Sequence, residues 1–190
     1  MSGTTDRQDG GPAHPPSDDP TARACDWPAC VEAPFEPPRV RVQQGWIDYN
    51  GHMNVGYYHV AFDDASTPFF HWLGLTPEYR SQHRVSTFAL ETHLNFLREV
   101  KLGDPLRFAA RLLSHDAKRI HFFLEMYHAD EGFLSATYES LSMHVDMRTR
   151  RTAPMAEALQ ARMRQVMAAH AALPRPWQVG HVIGAAVPRG

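Results

Sequence analysis

The chain has 190 residues, 19 basic and 21 acidic side chains and a formal net charge of −2, which suits one domain with a core and a tail. This near-neutral balance offers no basic face for nucleic acid or for an anionic membrane, and we expect neither partner. No apolar run reaches the roughly 18 residues of a membrane-spanning helix, and no signal pattern opens the chain. We therefore expect a cytoplasmic protein.

Residues 1–38 hold 8 of the 15 prolines and few large aliphatic side chains. Such a segment cannot bury enough apolar area to offset the entropy of ordering it. We predict a disordered Pro-rich tail over 1–38, one domain over 39–172 and a second tail over 173–190. Trp27 and Phe35 could pin parts of the first tail. Cys25 and Cys30 lie there too, with no second Cys/His pair nearby, so we predict neither a zinc site nor a disulfide.

A strand and a helix meet at a short polar stretch. Val40 and Val42 alternate with polar neighbours, which predicts a strand over 39–48. An apolar run predicts a buried helix over about 54–73, and Asn50-Gly51 is typical of a tight turn between the two. Inside the helix, Pro68 predicts a kink or a restart, with Ser66 or Thr67 as cap.

Four polar side chains crowd this junction, namely Asp48, Asn50, His52 and Asn54. A helix start offers unpaired N–H groups and the positive end of the helix dipole, which favour negative charge. Such a place suits attack on a carbonyl, with Asp48 as nucleophile or base and N–H groups near Val55 as oxyanion donors. Turn formation and capping explain Asn50 and Asn54 as well, and both roles can coexist.

From Val85 onward the apolar period is two, which predicts four successive antiparallel strands ending near Asp146. Gly103-Asp104-Pro105, residues 114–118 and Asp130-Glu131-Gly132 supply the turns. Alternation along the first of these strands puts Glu91 opposite Phe88, and therefore outside a pocket unless a bulge re-aims it. A helical period over 155–170 predicts a C-terminal helix.

The polar stretch and the motifs after it resemble a known family. Asp48-Tyr-Asn-Gly-His-Met-Asn54 resembles the central-helix entry of hotdog-fold acyl-CoA thioesterases of the 4-hydroxybenzoyl-CoA type. The likeness is closest to the betainyl-CoA thioesterase group of bacterial carnitine degradation. It includes Trp46 to Val55, Leu97-Arg-Glu-Val, Asp116-Ala-Lys-Arg119 and Glu125-Met-Tyr-His-Ala-Asp-Glu-Gly132. It covers roughly residues 40–155.

This resemblance implies an α+β hotdog fold, in which a five-stranded antiparallel sheet wraps one long central helix, followed here by a C-terminal helix. It implies hydrolysis of a small acyl-CoA thioester, with betainyl-CoA as one candidate, on a homodimer or homotetramer. Asp48 would attack the thioester or activate water, and His52 would orient the carbonyl or act as an acid. Asn50 and Asn54 would position water or substrate. Glu91 remains a second candidate acid.

Candidate substrate-binding residues surround this motif or lie at turns. Aromatic rings near it could hold a quaternary ammonium or an aromatic acyl group equally well; they are Trp46, Tyr49, Tyr57, Tyr58 and Trp72. Arg98, Lys118 and Arg119 could meet the phosphates of CoA, although surface charge explains each one as well. The histidines show no metal-ligand spacing, so we expect no metal and no cofactor.

Two other functions fit the same fold. A hotdog hydratase or dehydratase would also use an acid and a His near the helix, and would act on an enoyl-CoA. A non-catalytic acyl-CoA-binding protein would not need Asp48, and no basic DNA-binding segment accompanies the domain. The sequence leaves open the acyl group and whether CoA or an acyl carrier protein is the carrier.

Overall fold

The computed structural model describes residues 30–184, which form an antiparallel sheet around a long helix. The elements in chain order are β1 (Val40–Arg41), a 3₁₀ turn (Gln44–Trp46), α1 (Val55–Leu73), α2 (Pro77–His83), β2 (Val85–Phe96), β3 (Pro105–His115), β4 (Arg119–His128), β5 (Leu134–Asp146), β6 (Arg151–Thr152) and α3 (Glu157–His170). The sheet order is β1-β3-β4-β5-β2, with β6 paired to β5. The predicted α+β order is confirmed.

The core lies between α1 and the inner face of the sheet. Alternate residues of β4 point inward and are almost fully buried: Ile120, Phe122, Leu124 and Met126. On α1, Phe62 lies against Phe108 of β3 and Tyr138 of β5, with ring centroids 5.9 and 5.3 Å apart. Each such side chain contributes about 1.5–3 kcal/mol by leaving water. This apolar contact holds α1 across the sheet.

α1 runs unbroken through Pro68, so the predicted restart is wrong. Pro68 removes one helical hydrogen bond, at a cost of about 3 kcal/mol. The fully buried Phe62 and Phe69 lie on either side of it, and their packing outweighs that cost. Ser66 is no cap either, because its hydroxyl donates back to the carbonyl of Phe62 at 2.7 Å.

The predicted first strand is wrong beyond its first residues, because β1 spans only Val40–Arg41. Val42 still bonds to the turn before β3, donating to Asp104 O and accepting from Gly103 N. The chain then enters the 3₁₀ turn, which re-aims it toward α1. A period-two pattern does not reveal such a turn.

A bulge in β2 changes which residues share a face. Ala89 pairs with Ser142 and Glu91 pairs with Leu141, so Leu90 is the extra residue. Phe88 and Glu91 therefore share the outer face of the sheet, and the predicted alternation is wrong at this point. Beyond the bulge, Leu94 pairs with Tyr138 on the inner face.

Residues 30–38 pack against the sheet, so the predicted tail does not extend to residue 38. Phe35 exchanges two backbone hydrogen bonds with Ala110 on β3, and its ring stacks on Trp72 at 4.9 Å. The ring of Phe35 and the buried Pro37 make apolar contacts that the Pro-rich composition of the segment does not predict. Residues 1–29, including Cys25 and Trp27, lie outside the described residues. Cys30 is exposed.

The segment after α3 also packs, on the outer face of the sheet. Arg111 donates to Pro174 O at 2.6 Å, and the N–H of Gly180 donates to Glu139 at 2.8 Å. Gln178 and Val179 are buried. A domain boundary at 172 therefore cuts through a docked segment; residues 185–190 lie outside the described part. No helix within 30–184 has the length and hydropathy to cross a membrane.

Candidate active site

The turn before α1 is closed by its own backbone. The N–H of Asp48 donates to His52 O at 3.1 Å, and the N–H of Gly51 donates to Asp48 O at 3.0 Å. Gly51 adopts φ +80°, a conformation that side-chain-bearing residues rarely take. The N–H of Asn50 donates to Asp48 Oδ1 at 2.8 Å. These bonds hold the Asp48 carboxylate in place.

Two further bonds join this turn to the fold. Asn54 N donates to Trp46 O at 2.8 Å, and Met53 N donates to Val100 O at 2.9 Å. Val100 and Met53 are almost fully buried. The turn that carries Asp48 is therefore fixed to the loop after β2, which forms the other side of the site.

Asn54 serves the helix and Asp48 together. Its Oδ1 accepts from the N–H of Gly56 at 3.0 Å, which is the N-cap bond of α1. This bond fixes the amide orientation, because the remaining Nδ2 can only donate. Nδ2 lies 3.5 Å from Asp48 Oδ2. This geometry fits the expectation that Asn54 both caps α1 and contacts the catalytic candidate Asp48.

The first turn of α1 leaves one N–H group open. Asn54 N bonds to Trp46 O, Gly56 N to the Asn54 side chain, and Tyr57 N to Asn54 O. Within residues 30–184, no group accepts a hydrogen bond from Val55 N. This N–H lies at the positive end of the helix dipole, where an oxyanion is favoured.

A cleft of about 510 Å³ opens at this point. Its lining comes from the turn with the start of α1 and from the end of β2: Asp48, Tyr49, His52, Met53, Asn54, Val55, Tyr58, Phe96, Leu97, Arg98 and Glu99. Burial raises the pKa of the Tyr58 hydroxyl, and the charge of Glu99 raises it further, although hydrogen bonds to Ser135 and Val100 lower it. The cleft thus combines carboxylates with aromatic walls.

His52 lines the cleft without a hydrogen bond to Asp48. Its Nδ1 lies 4.0 Å from Asp48 Oδ1 and 3.3 Å from Met53 O. The side chain is one-third exposed. His52 is therefore placed to contact a substrate, and its role as orienting group or acid stays a prediction.

Four other residues of the predicted site do not line the cleft. The Asn50 side chain is exposed and does not line the cleft, so Asn50 acts on Asp48 through its N–H. Trp46 and Tyr57 stack on each other at 6.1 Å beside the cleft rather than in it. Trp72 lies at the other end of α1, against Phe35. Of the five expected aromatic residues only Tyr49 and Tyr58 line the cleft, and Phe96, which was not expected, lines it with them.

Glu91 and the predicted CoA-binding hairpin are distant from Asp48 within one chain. Glu91 lines a separate cavity of about 630 Å³ on the outer face, with His93 and His121. Lys118 and Arg119 lie at the far end of β3, which spans roughly 35 Å. Arg119 pairs there with Asp116 at 2.6 Å. Only Arg98, of the predicted cations, lines the Asp48 cleft.

Sequence reasoning missed the residues that follow the β2 bulge. Phe96, Leu97 and Glu99 line the cleft, although none of the three was given a role in the site. The available signal was the Leu97-Arg-Glu-Val motif of the family resemblance, in which only Arg98 was assigned a role. Among residues 30–184, no three His, Cys, Asp or Glu side chains are grouped closely enough to hold a metal ion.

This geometry suits acyl transfer to water. A thioester carbonyl that accepts from the Val55 N–H would have its oxygen at the helix start, in the cleft that Asp48 also lines. The carboxylate is held by Asn50 and Asn54, so little reorganisation is needed for reaction.

Comparisons with known proteins agree with this chemistry. Residues 42–163 match the model of the thioesterase-like superfamily. A betainyl-CoA thioesterase of Pseudomonas aeruginosa is 39% identical over 139 residues, 73% of this chain and 87% of that protein. An L-carnitine dehydrogenase/betainyl-CoA thioesterase of Rhizobium meliloti is 35% identical over 144 residues, but these are 76% of this chain and only 29% of that longer protein.

A solved structure gives the same result for the fold. A Staphylococcus aureus protein determined in complex with CoA superposes with a TM-score of 0.75 and 27% identity. The match covers 83% of this chain and 100% of that one. With its helix-wrapping antiparallel sheet and its matched residues 42–163, the chain belongs to the thioesterase-like superfamily and has the hotdog fold.

Proposed function

We propose that this thioester hydrolase cleaves betainyl-CoA to betaine and CoA in the Asp48 cleft. Acyl-CoA thioester hydrolysis is the activity of its relatives. One observation supports the assignment of the site. The Asp48 carboxylate accepts from Asn50 N and Asn54 Nδ2 and lines the same cleft as Val55, whose N–H is open. The 39% identity to a betainyl-CoA thioesterase supports the acyl group.

The reaction proceeds through addition to the thioester carbonyl. Asp48 either attacks the carbonyl carbon, giving a mixed anhydride that water then opens, or takes a proton from the attacking water. The carbonyl oxygen becomes an oxyanion that accepts from the Val55 N–H. When the C–S bond breaks, the electron pair leaves with the CoA sulfur, which then takes a proton.

The cleft lining suits a cationic acyl group. Tyr58 and Phe96 line it together with Tyr49, which is 96% exposed. The face of an aromatic ring attracts a quaternary ammonium by about 0.5–2 kcal/mol. Arg98 also lines the cleft, and its guanidinium lies 3.8 Å over Phe133 and 3.4 Å from Glu131 in an exposed ion pair. The aromatic residues and the carboxylates of Asp48 and Glu99 in the lining support a cation over an anion as the bound acyl group.

A second copy of the chain is part of this proposal. β2 is a 12-residue edge strand with no partner on one side among the described residues. Exposed apolar side chains lie on β2, directly after it and on the first turns of α1: Val55, Val60, Phe88, Leu90, Phe96 and Leu97. Long exposed edges of this kind are normally covered. Pairing of two β2 strands would cover the edge and these side chains.

Antiparallel pairing of two β2 strands would also give Lys118 and Arg119 a place near a cleft, that of the other copy. It places the β3–β4 hairpin of one copy at the same end as the cleft of the other. Lys118 and Arg119 on that hairpin could then contact the phosphates of a CoA bound in the neighbouring cleft. Their contribution is therefore expected only in a homodimer.

A thiol-release assay over a panel of acyl-CoAs tests the function. The panel contains betainyl-, acetyl-, benzoyl- and crotonyl-CoA, and the last is also followed for loss of its double bond. We expect the highest kcat/KM with betainyl-CoA and no hydration of crotonyl-CoA. Preference for benzoyl-CoA would contradict the acyl assignment, and hydration without thiol release would contradict the reaction.

Sedimentation velocity at micromolar concentration tests the dimer. Wild type should sediment as a dimer, and Leu90→Lys, which adds a charge to the exposed edge, should shift it toward monomer and lower activity. A wild-type monomer with full activity would contradict the proposed assembly.

A further inference from the structure

Glu99 has no role in the hydrolysis described above, although it lines the same cleft as Asp48. The loop that carries it is held on both sides. Leu97 N and Arg98 N both donate to Ser135 O, and the Ser135 hydroxyl donates to Arg98 O at 2.7 Å. On the other side, Val100 O accepts from Met53 N. The backbone of residue 99 is therefore fixed relative to the turn that carries Asp48.

The charge of Glu99 is only weakly matched inside the protein. Its one ion-pair partner among the described residues is Lys101, at 3.4 Å, and the two side chains are 54% and 66% exposed. Such exposed pairs contribute about 0–1 kcal/mol and are easily exchanged for another cation. Glu99 lines the cleft together with the aromatic residues Tyr58 and Phe96.

The size of a betainyl group limits where its charge can lie. The ammonium nitrogen is two bonds from the thioester carbonyl carbon, about 2.5 Å by ordinary bond lengths and angles. If the carbonyl is attacked by Asp48, the trimethylammonium group must lie in this cleft as well. A cation there is near two carboxylates, and Asp48 is already engaged with the carbonyl carbon or with water.

We propose that Glu99 is a specificity residue, whose carboxylate, with the rings of Tyr58 and Phe96, selects a cationic acyl group over a neutral one of the same shape. This inference rests on the proposed function, since it assigns the acyl preference of the same cleft. Glu99 contributes a long-range attraction and not a proton transfer, because it acts on a group that carries no proton. The rings supply the shape and Glu99 supplies the charge preference.

A pair of isosteric substrates isolates this preference. Betainyl-CoA and 3,3-dimethylbutyryl-CoA differ only in a quaternary nitrogen replaced by a quaternary carbon, so their acyl groups have the same shape. The ratio of their kcat/KM values measures the contribution of charge. Glu99→Gln should lower this ratio by about tenfold, the effect of one unit charge several ångströms away at a partly exposed site.

Glu36→Gln is the matched control. The Glu36 side chain is also 54% exposed and also pairs with one base, Arg107, but it does not line the cleft. It should leave the ratio as in wild type. An equal loss of activity on both substrates in Glu99→Gln would show a structural role and overturn the proposal, as would an unchanged ratio.

Binding measurements separate this proposal from the proposed function. Titration calorimetry would use analogues of both substrates with a methylene in place of the thioester sulfur, which cannot be hydrolysed. Wild type should bind the cationic analogue more tightly, and Glu99→Gln should lose about tenfold of that preference. If this binding preference is found but betainyl-CoA is not hydrolysed, the proposed function is contradicted and the role of Glu99 in charge selection stands. No charge preference in wild type would overturn the role of Glu99 even if turnover is found.

Discussion

The two ends of α1 use similar residues for different purposes. At its N-terminal end, Asp48 and His52 face an open cleft and the Val55 N–H has no acceptor within residues 30–184. At its C-terminal end, Trp72 stacks on Phe35 at 4.9 Å and on His170 at 5.9 Å. Polar groups are left accessible at the first end, whereas at the second the ring nitrogens of His170 are bonded within the fold.

His170 and His52 differ in how many of their ring nitrogens are hydrogen-bonded within the protein. Both ring nitrogens of His170 are used: Nδ1 accepts from Leu112 N at 3.0 Å, and Nε2 donates to Glu32 O at 2.9 Å. His52 makes one long contact, to Met53 O at 3.3 Å. A histidine with both nitrogens satisfied stabilises the fold, whereas one with spare capacity in a cleft can serve a ligand. The type of residue does not distinguish the two ends, but its remaining hydrogen-bonding capacity does.

Removing the open N–H at the N-terminal end should give the largest effect. Proline suits the first position of a helix, and the ψ of 144° at Asn54 suits the residue before a proline. Val55→Pro should therefore fold normally while losing the oxyanion donor. Its kcat should fall by about 100- to 1000-fold.

Val55→Ala is the control, since it shortens the side chain and keeps the N–H. Steady-state CoA release and the thermal unfolding midpoint are compared for the two variants. Equal kcat values for Val55→Pro and Val55→Ala would show that the donor lies elsewhere.

Separating the two roles of Asn54 should give an intermediate effect. Asn54→Ser keeps a side-chain cap but loses the amide that faces Asp48, so kcat should fall about tenfold, the size of one weak hydrogen bond to a charged group. Stability should stay within about 0.5 kcal/mol. Asn54→Ala should also cost about 1 kcal/mol of stability. Urea unfolding and kcat are measured for both; a Ser variant with wild-type kcat would leave Asn54 as a cap alone.

The C-terminal end should respond to pH with the smallest effect. Burial lowers the pKa of His170, and Arg111 and Arg162 lower it further, although the bond to Glu32 O raises it. The unfolded chain then binds a proton more readily, so the free energy of unfolding should decrease as pH falls below about 6.5. His170→Gln should weaken this dependence between pH 7 and 5.

His144 accounts for part of the same dependence, since burial lowers its pKa as well. Some slope should therefore remain in His170→Gln. Unfolding in urea at several pH values measures it, and a slope identical to wild type would show that His170 does not titrate on unfolding. Activity at pH 7 should be little affected.

The site at the N-terminal end of α1 could largely be predicted from the sequence, because a turn and a helix cap depend on residues that are close along the chain. Asp48, Asn54 and the helix start at Val55 were predicted from residues that are adjacent along the chain. Glu99 was missed because its place in the cleft depends on the bond between Met53 and Val100, which are distant in sequence. Glu91 was retained as a candidate only because a bulge could have re-aimed it, and the bulge that β2 does contain at Leu90 leaves Glu91 out of the Asp48 cleft.

The C-terminal end was predicted less well for a related reason. Its contacts join α1 to residues 30–38 and to α3, two segments far apart in the sequence. Phe35 lies in a Pro-rich stretch whose composition favours disorder, and one backbone pairing with Ala110 reverses that expectation. His170 follows a helical period, which identifies its helix but not the edge of β3 that it binds.

The kcat of Asp48→Asn for CoA release from betainyl-CoA tests the central claim most directly. The substitution keeps the shape of the side chain and removes its charge. Asp146→Asn is the matched control, because Asp146 also accepts from the N–H two residues on, at 2.7 Å, but does not line the cleft. We predict that kcat falls by about 100-fold or more in Asp48→Asn, with a smaller change in KM, and stays at the wild-type value in Asp146→Asn. A folded Asp48→Asn enzyme within about threefold of wild-type kcat, far short of that scale, would contradict the account.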